Sequence, residues 1–204
     1  MKGIKIGNQT WGAENLALTI DREGKELVLN KDYFYPNGIK NLVPKYGLLY
    51  TWDAAMRVCP EGWHLPTDTE WQELIAALPK DEYASTQEWQ EGILAVKSNV
   101  IFNILPVGYR IYFKPAFRGF GRIAYFWSST TFGTSYASYC TIGDADTGVG
   151  QLNDYHGIGF SVRCVKDVKP TYKNKMSSIK DLCEKLLYEI KTVDEKFNEI
   201  VEYK

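Results

Sequence analysis

The chain has 204 residues, with 24 Lys plus Arg against 25 Asp plus Glu and a formal net charge of −1. That length holds one domain of about 150–170 residues with a real core, plus an appendage, and the balanced charge, with no basic stripe, offers no footing to nucleic acid or an anionic membrane. No run approaches the roughly 18 apolar residues of a membrane span, and no apolar stretch follows a basic N-terminal segment, so neither a span nor an export signal is expected.

From the N-terminus, Ile4-Lys-Ile6 and Thr10 to Leu18 read as strands, and Asp21-Arg-Glu-Gly24 as a hairpin region. A Pro/Asn/Gly loop follows from Pro36 to Pro44, then a first helix from Thr51 to Val58. Cys59-Pro-Glu-Gly-Trp-His-Leu-Pro-Thr-Asp-Thr-Glu-Trp71 carries a short strand, Trp63-His64-Leu65, and a second helix start. There Thr67 caps and Glu70, three residues on, reaches back to complete a capping box, opening a helix over Asp68 to Leu78. Further strands fall around Phe102 to Tyr109, Tyr125 to Ser128, Ala137 to Ile142 and Gly159 to Lys166, the last with Phe160, Val162 and Cys164 on one face. Long loops with few apolar residues separate them.

Beyond Asp167, Pro170 ends the strand region, and Ile179, Cys183, Leu186, Ile190, Val193, Phe197 and Ile200 repeat at alternating steps of four and three. That 3.5-residue period makes a narrow seam of the coiled-coil kind, which a helix must bury. It does so against copies of itself, against a partner helix, or back on its own domain. The organisation expected is a domain over 1–168, a linker over 169–176 and a C-terminal helix over 177–204.

Chemistry-bearing residues are sparse. The chain has two histidines, His64 and His156, and the first lies in the strand-to-helix motif, where packing or capping is the ordinary role. Asp53, Asp68 and Glu70 sit at helix starts, where acids satisfy free N–H groups. The four cysteines, 59, 140, 164 and 183, include no C-x-x-C pair, so a zinc or dithiol centre is not expected. No nucleophile elbow, phosphate loop or H-E-x-x-H signature is present, and no enzymatic activity is expected.

An absence speaks more directly to function: from Pro115 to Val165 there is no Lys and no Glu. Tyr, Ser, Thr, Gly, Asn and Asp fill the window, the chemistry of antibody paratopes, in which Tyr gives large contact area at low entropy cost and small polar residues give adaptable hydrogen bonds. The competing reading is that tight loops simply require such residues. On the paratope reading Phe132, Tyr136, Tyr139, Asp144, Asp146, Asn153, Asp154, Tyr155 and His156 form an exposed ligand-binding surface for a protein or glycan.

The Cys59-to-Trp71 string resembles the Fibrobacter succinogenes major paralogous domain, a relative of C-type lectin-like and formylglycine-generating-enzyme folds. So do Gly159-Phe-Ser-Val-Arg-Cys-Val165, Gly7 to Leu16, Tyr46 to Met56 and Phe126-Trp-Ser-Ser-Thr130. The resemblance implies an α+β, C-type lectin-like fold with small antiparallel sheets, two helices and ligand-bearing loops. It implies a disulfide between Cys59 and Cys164, the alternative being two buried reduced thiols in contact, and an extracellular, cell-surface or virion setting if that bond forms; Cys140 and Cys183 read as free, small apolar fillers. Formylglycine-generating chemistry needs a nearby cysteine pair, which Cys140 and Cys164 do not make. Calcium-dependent sugar binding would draw on Asp144, Asp146, Asn153 and Asp154, but the partner tripeptide of sugar-binding lectins is missing and the oxygens fall short of the six to eight that calcium takes, so no cofactor is expected. The window after Trp127 is also similar to the variable regions of retroelement-diversified proteins on this fold, with Gln151 alone outside their residue alphabet.

Overall fold

The structure is a computed structural model that describes residues 1–77, 104–143, 150–168, 182–184 and 187. The chain separates into two compact units, Met1–Asp167 and Val168–Lys204. The first is α+β, built on two sheets. In the smaller sheet β1 (Gly3–Ile6) and β2 (Gln9–Gly12) form a hairpin, β2 takes β12 (Val165–Lys166) on its other edge, and β12 pairs with β5 (Trp63–His64). The expected strand from Thr10 to Leu18 ends at Gly12. The chain beyond it is tied by single backbone bonds instead, Leu16 N–H to the Val162 carbonyl at 2.9 Å and Leu48 N–H to the Leu16 carbonyl at 2.8 Å.

The larger sheet has six strands. In spatial order they are β10 (Gly150–Tyr155), β9 (Tyr136–Gly143), β8 (Ile123–Phe132), β11 (Phe160–Ser161), β4 (Leu49–Tyr50) and β3 (Tyr33–Phe34). β10, β9 and β8 form an antiparallel meander, while β11 runs parallel to β8 through Ser161 opposite Phe126. β6 (Tyr109–Arg110) and β7 (Phe117–Arg118) make a separate two-stranded ribbon. The strand expected over Phe102 to Tyr109 is thus confined to its end; Phe102 lies outside the described residues, and Ile104, Leu105 and Val107 are buried without a ladder.

The expected strand Gly159–Lys166 is divided between the two sheets, with Val162, Arg163 and Cys164 as the crossing. Cys164 is disulfide-bonded to Cys59 at the end of α2 (Trp52–Val58), as the resemblance implied. Arg163 is wholly buried. Its Nη2 and Nε donate to Asn15 Oδ1 at 2.6 and 3.2 Å and its Nη1 to the Gly12 carbonyl at 3.1 Å, and burial lowers its pKa to about 9, which leaves it charged at neutral pH.

The meander is covered on both faces because alternate residues point oppositely. One face meets Tyr50, Trp127, Tyr139 and Phe160; the other meets Trp11, Trp71, Phe126 and Cys140. Trp127 buries its ring and donates Nε1–H to the Tyr50 carbonyl at 2.8 Å, so the indole meets no polar penalty inside. α3 (Asp68–Ala77) opens with the anticipated capping box. Glu70 N–H donates to Thr67 Oγ1 at 3.2 Å, and Thr67 N–H and Oγ1–H donate to Glu70 Oε2 at 2.8 and 2.9 Å. A bulge between Trp127 and Thr131 turns β8 toward the helices, where the Ser128 carbonyl accepts from Trp52 Nε1 and Thr130 Oγ1 accepts from Asp68 N–H.

In the second unit Leu182, Cys183, Glu184 and Leu187 are helical and exposed. Cys183 is therefore not the buried filler expected; Cys140 is buried, and both are free. The other seam residues, Ile179, Leu186, Ile190, Val193, Phe197 and Ile200, and the linker over 169–176 lie outside the described residues. Among the described residues no helix is long and apolar enough to cross a membrane.

Candidate functional site

The predicted surface residues divide according to strand parity. Tyr136 and Tyr139 are three positions apart on β9, so they point to opposite faces. Tyr139 sits opposite Trp127 on the core face, packs on Phe160 at 4.7 Å between ring centroids, and is only 9% exposed, which removes it from the expected surface. Burial pushes its phenol up to about 12. Tyr136 is 49% exposed, and its register partner Phe132, across the tight turn, is 66% exposed.

Tyr155 ends β10 directly opposite Tyr136, and the two rings meet edge to face at 6.1 Å. A loop absent from the sequence-based site joins them. Between β6 and β7 the chain folds back at Ile111–Ala116, closed by Ile111 N–H to the Ala116 carbonyl at 2.9 Å, and raises Tyr112 (41% exposed) and Phe113 (85% exposed). Tyr112 lies 4.5 Å from Tyr155 and 5.0 Å from Phe113. Phe113, Tyr112, Tyr155 and Tyr136 thus form one continuous ridge of rings, in which Tyr155 is half-buried, not fully exposed as expected. The loop and β10 approach closely because residue 157 is glycine: a Cβ there would overlap the Tyr112 ring. A hydrogen bond with Tyr112 and that residue's charge raise the Tyr155 phenol above its ordinary value. Only the Lys- and Glu-free window was available as a sequence signal, and Tyr112-Phe113-Lys114 falls just before it.

The remaining predicted residues support the ridge or border it. His156 stacks on Trp52 at 4.2 Å with 20° between planes, donates its backbone N–H to the Ser135 carbonyl at 2.9 Å, and lies largely buried with Nδ1 3.9 Å from the exposed Asp53 carboxylate. It is a post under Tyr155 rather than an open contact residue. Asn153 is exposed and its Oδ1 accepts from Ser138 at 2.8 Å, while half-buried Asp154 accepts from the Tyr155 N–H. Asp144 and Asp146 lie outside the described residues. Among the described residues no three His, Cys, Asp or Glu side chains gather as metal ligands do.

His64 has a structural setting. Its Nε2 lies 2.8 Å from Glu70 Oε1 and its Nδ1 2.6 Å from Asp167 Oδ1, which ties β5 to α3 and to the end of the first unit. The hydrogen bond with Glu70 outweighs burial and raises the His64 pKa. Burial would raise Glu70, but bonds from His64 and Thr67 lower it overall.

Comparison with curated proteins finds no match, and comparison with solved structures finds none either. The sequence model of the Fibrobacter succinogenes major domain matches residues 4–166, and the chain belongs to that family.

Proposed function

We propose that this chain is a non-enzymatic recognition module of C-type lectin-like architecture that binds a macromolecular ligand through the ridge Phe113–Tyr112–Tyr155–Tyr136, flanked by Phe132. The observation that carries the reading is the ridge itself. Monomer surfaces seldom gather exposed large aromatics without a partner to cover them, and aromatic anchors dominate interface energetics. Neighbouring rings are tilted by 72°, 58° and 75°, so no two share a plane. Such a contoured surface, carrying phenol hydroxyls, suits a protein ligand better than a flat polysaccharide ribbon. A general base on His64 is disfavoured because both of its ring nitrogens already face carboxylates.

The test is a parallel screen of the protein against a displayed random-peptide library and a glycan array. Binders from the peptide arm that weaken at least tenfold with Tyr155→Ala or Phe113→Ala, at unchanged melting temperature, support the reading. Binders indifferent to both changes move recognition away from the ridge, and glycan-only binding replaces the protein ligand with a sugar.

A further inference from the structure

A concave feature of the surface is lined by none of the ridge residues. An open groove of about 660 Å³ runs between the chain after β2 and the segment that contains α1 (Val43–Tyr46). That volume lies within the range of small-molecule sites. Asn15, Tyr33, Gly47 and Leu48 are buried at its floor. Gly47 has φ +75°, and a Cβ on it would stand 2.7 Å from Asn15 Cβ and 2.8 Å from the Leu16 carbonyl, so the two segments approach as closely as backbone permits. Asn15 is fixed from both sides, donating Nδ2–H to the Tyr46 carbonyl at 3.1 Å and accepting from the Arg163 guanidinium at 2.6 Å. Tyr33 is nine-tenths buried.

The charges around this floor are predominantly positive. Lys40 and Lys45 stand exposed on the rim, and Arg163 lies behind Asn15, against Glu14 as the one carboxylate lining the groove. A groove with such a lining attracts anions. Val43, Tyr35 and Leu48 add apolar surface.

We infer that this groove is a binding site for a small organic anion, one carboxylate or phosphate on a ring-sized body, with the body over Leu48 and Tyr35 and the negative group toward Lys40 and Lys45. It is separate from macromolecular recognition at the ridge and does not depend on it. Calorimetry on the full chain with benzoate, phenyl phosphate, glucuronate and glucose 6-phosphate, beside neutral benzyl alcohol and glucose, tests it. The carboxylate and phosphate pairs distinguish the two sources of charge. Binding of at least one anion, none of its neutral counterpart, tenfold or greater weakening in Lys40→Ala/Lys45→Ala and tightening in Glu14→Gln are expected. Tyr155→Ala should leave that affinity unchanged, and because the substituted lysines are exposed, the fold is expected to survive their loss. Equal binding of neutral analogues, wild-type affinity in the double-lysine variant, or no binding of any anion at 10 mM overturns the inference.

Discussion

Gly157 lets Tyr112 rest against the end of β10, and through it the ridge becomes one surface instead of two. Gly157→Ala is expected to push the Tyr112 ring away and to weaken ridge binders about tenfold or more, a larger effect than on melting temperature; isotherms beside thermal scans would show the contrast. His64 governs a pH response of a different kind. Its pKa is raised above the 6.5 of a free histidine, so the stability it adds is fully present below about pH 6.5 and is lost as pH rises through the higher folded value. Thermal scans from pH 5.5 to 9 should show a decline in the wild type that His64→Gln lacks; parallel curves would detach the Glu70–His64–Asp167 contacts from stability. At this scale the sequence was legible where local chemistry dictates geometry, as in the Thr67–Glu70 capping box. It misled at Tyr139, because composition marks a tyrosine-rich window without telling which tyrosines face the core. Strand parity alone separates Tyr136 from Tyr139, and His156 was hidden by its stacking on Trp52, a residue over a hundred positions away.

At the level of elements, the chain between β11 and β12 passes from one sheet to the other, and the Cys59–Cys164 bond pins the crossing to the end of α2. Replacing both cysteines with alanine is expected to cost about 2–4 kcal/mol by denaturant titration, since the bond closes a separation of 105 residues and chiefly restricts the unfolded chain. Trp127→Ala should cost about 3–5 kcal/mol, the range for emptying a buried aromatic site; a loss below 1 kcal/mol would contradict its place in β8, packed on Phe160 of β11 and bonded to the Tyr50 carbonyl of β4. β8 and β9 were visible as apolar runs, although both extend beyond them. β10 was not, because Gly150–Tyr155 has a single aliphatic residue, Leu152, and owes its strand form to pairing with β9. The single apolar run from Gly159 to Lys166 carries no local mark of the change of sheet.

For the whole molecule, the family and the α+β class followed from motifs spread from Gly7 to Val165, whereas the ridge required three segments distant in sequence to meet. The Lys- and Glu-free window located two of them and stopped short of Tyr112 and Phe113. The measurement that tests the ridge most directly pairs thermal unfolding with binding for Phe113→Ala, Tyr112→Ala, Tyr136→Ala and Tyr155→Ala, using a binder selected on the wild-type protein. The account predicts melting temperatures close to wild type and losses of about 1–3 kcal/mol in binding at one or two of the four positions, the pattern of a hot spot on a rigid scaffold. Four variants that bind like wild type, or that unfold together with their loss of binding, would contradict it.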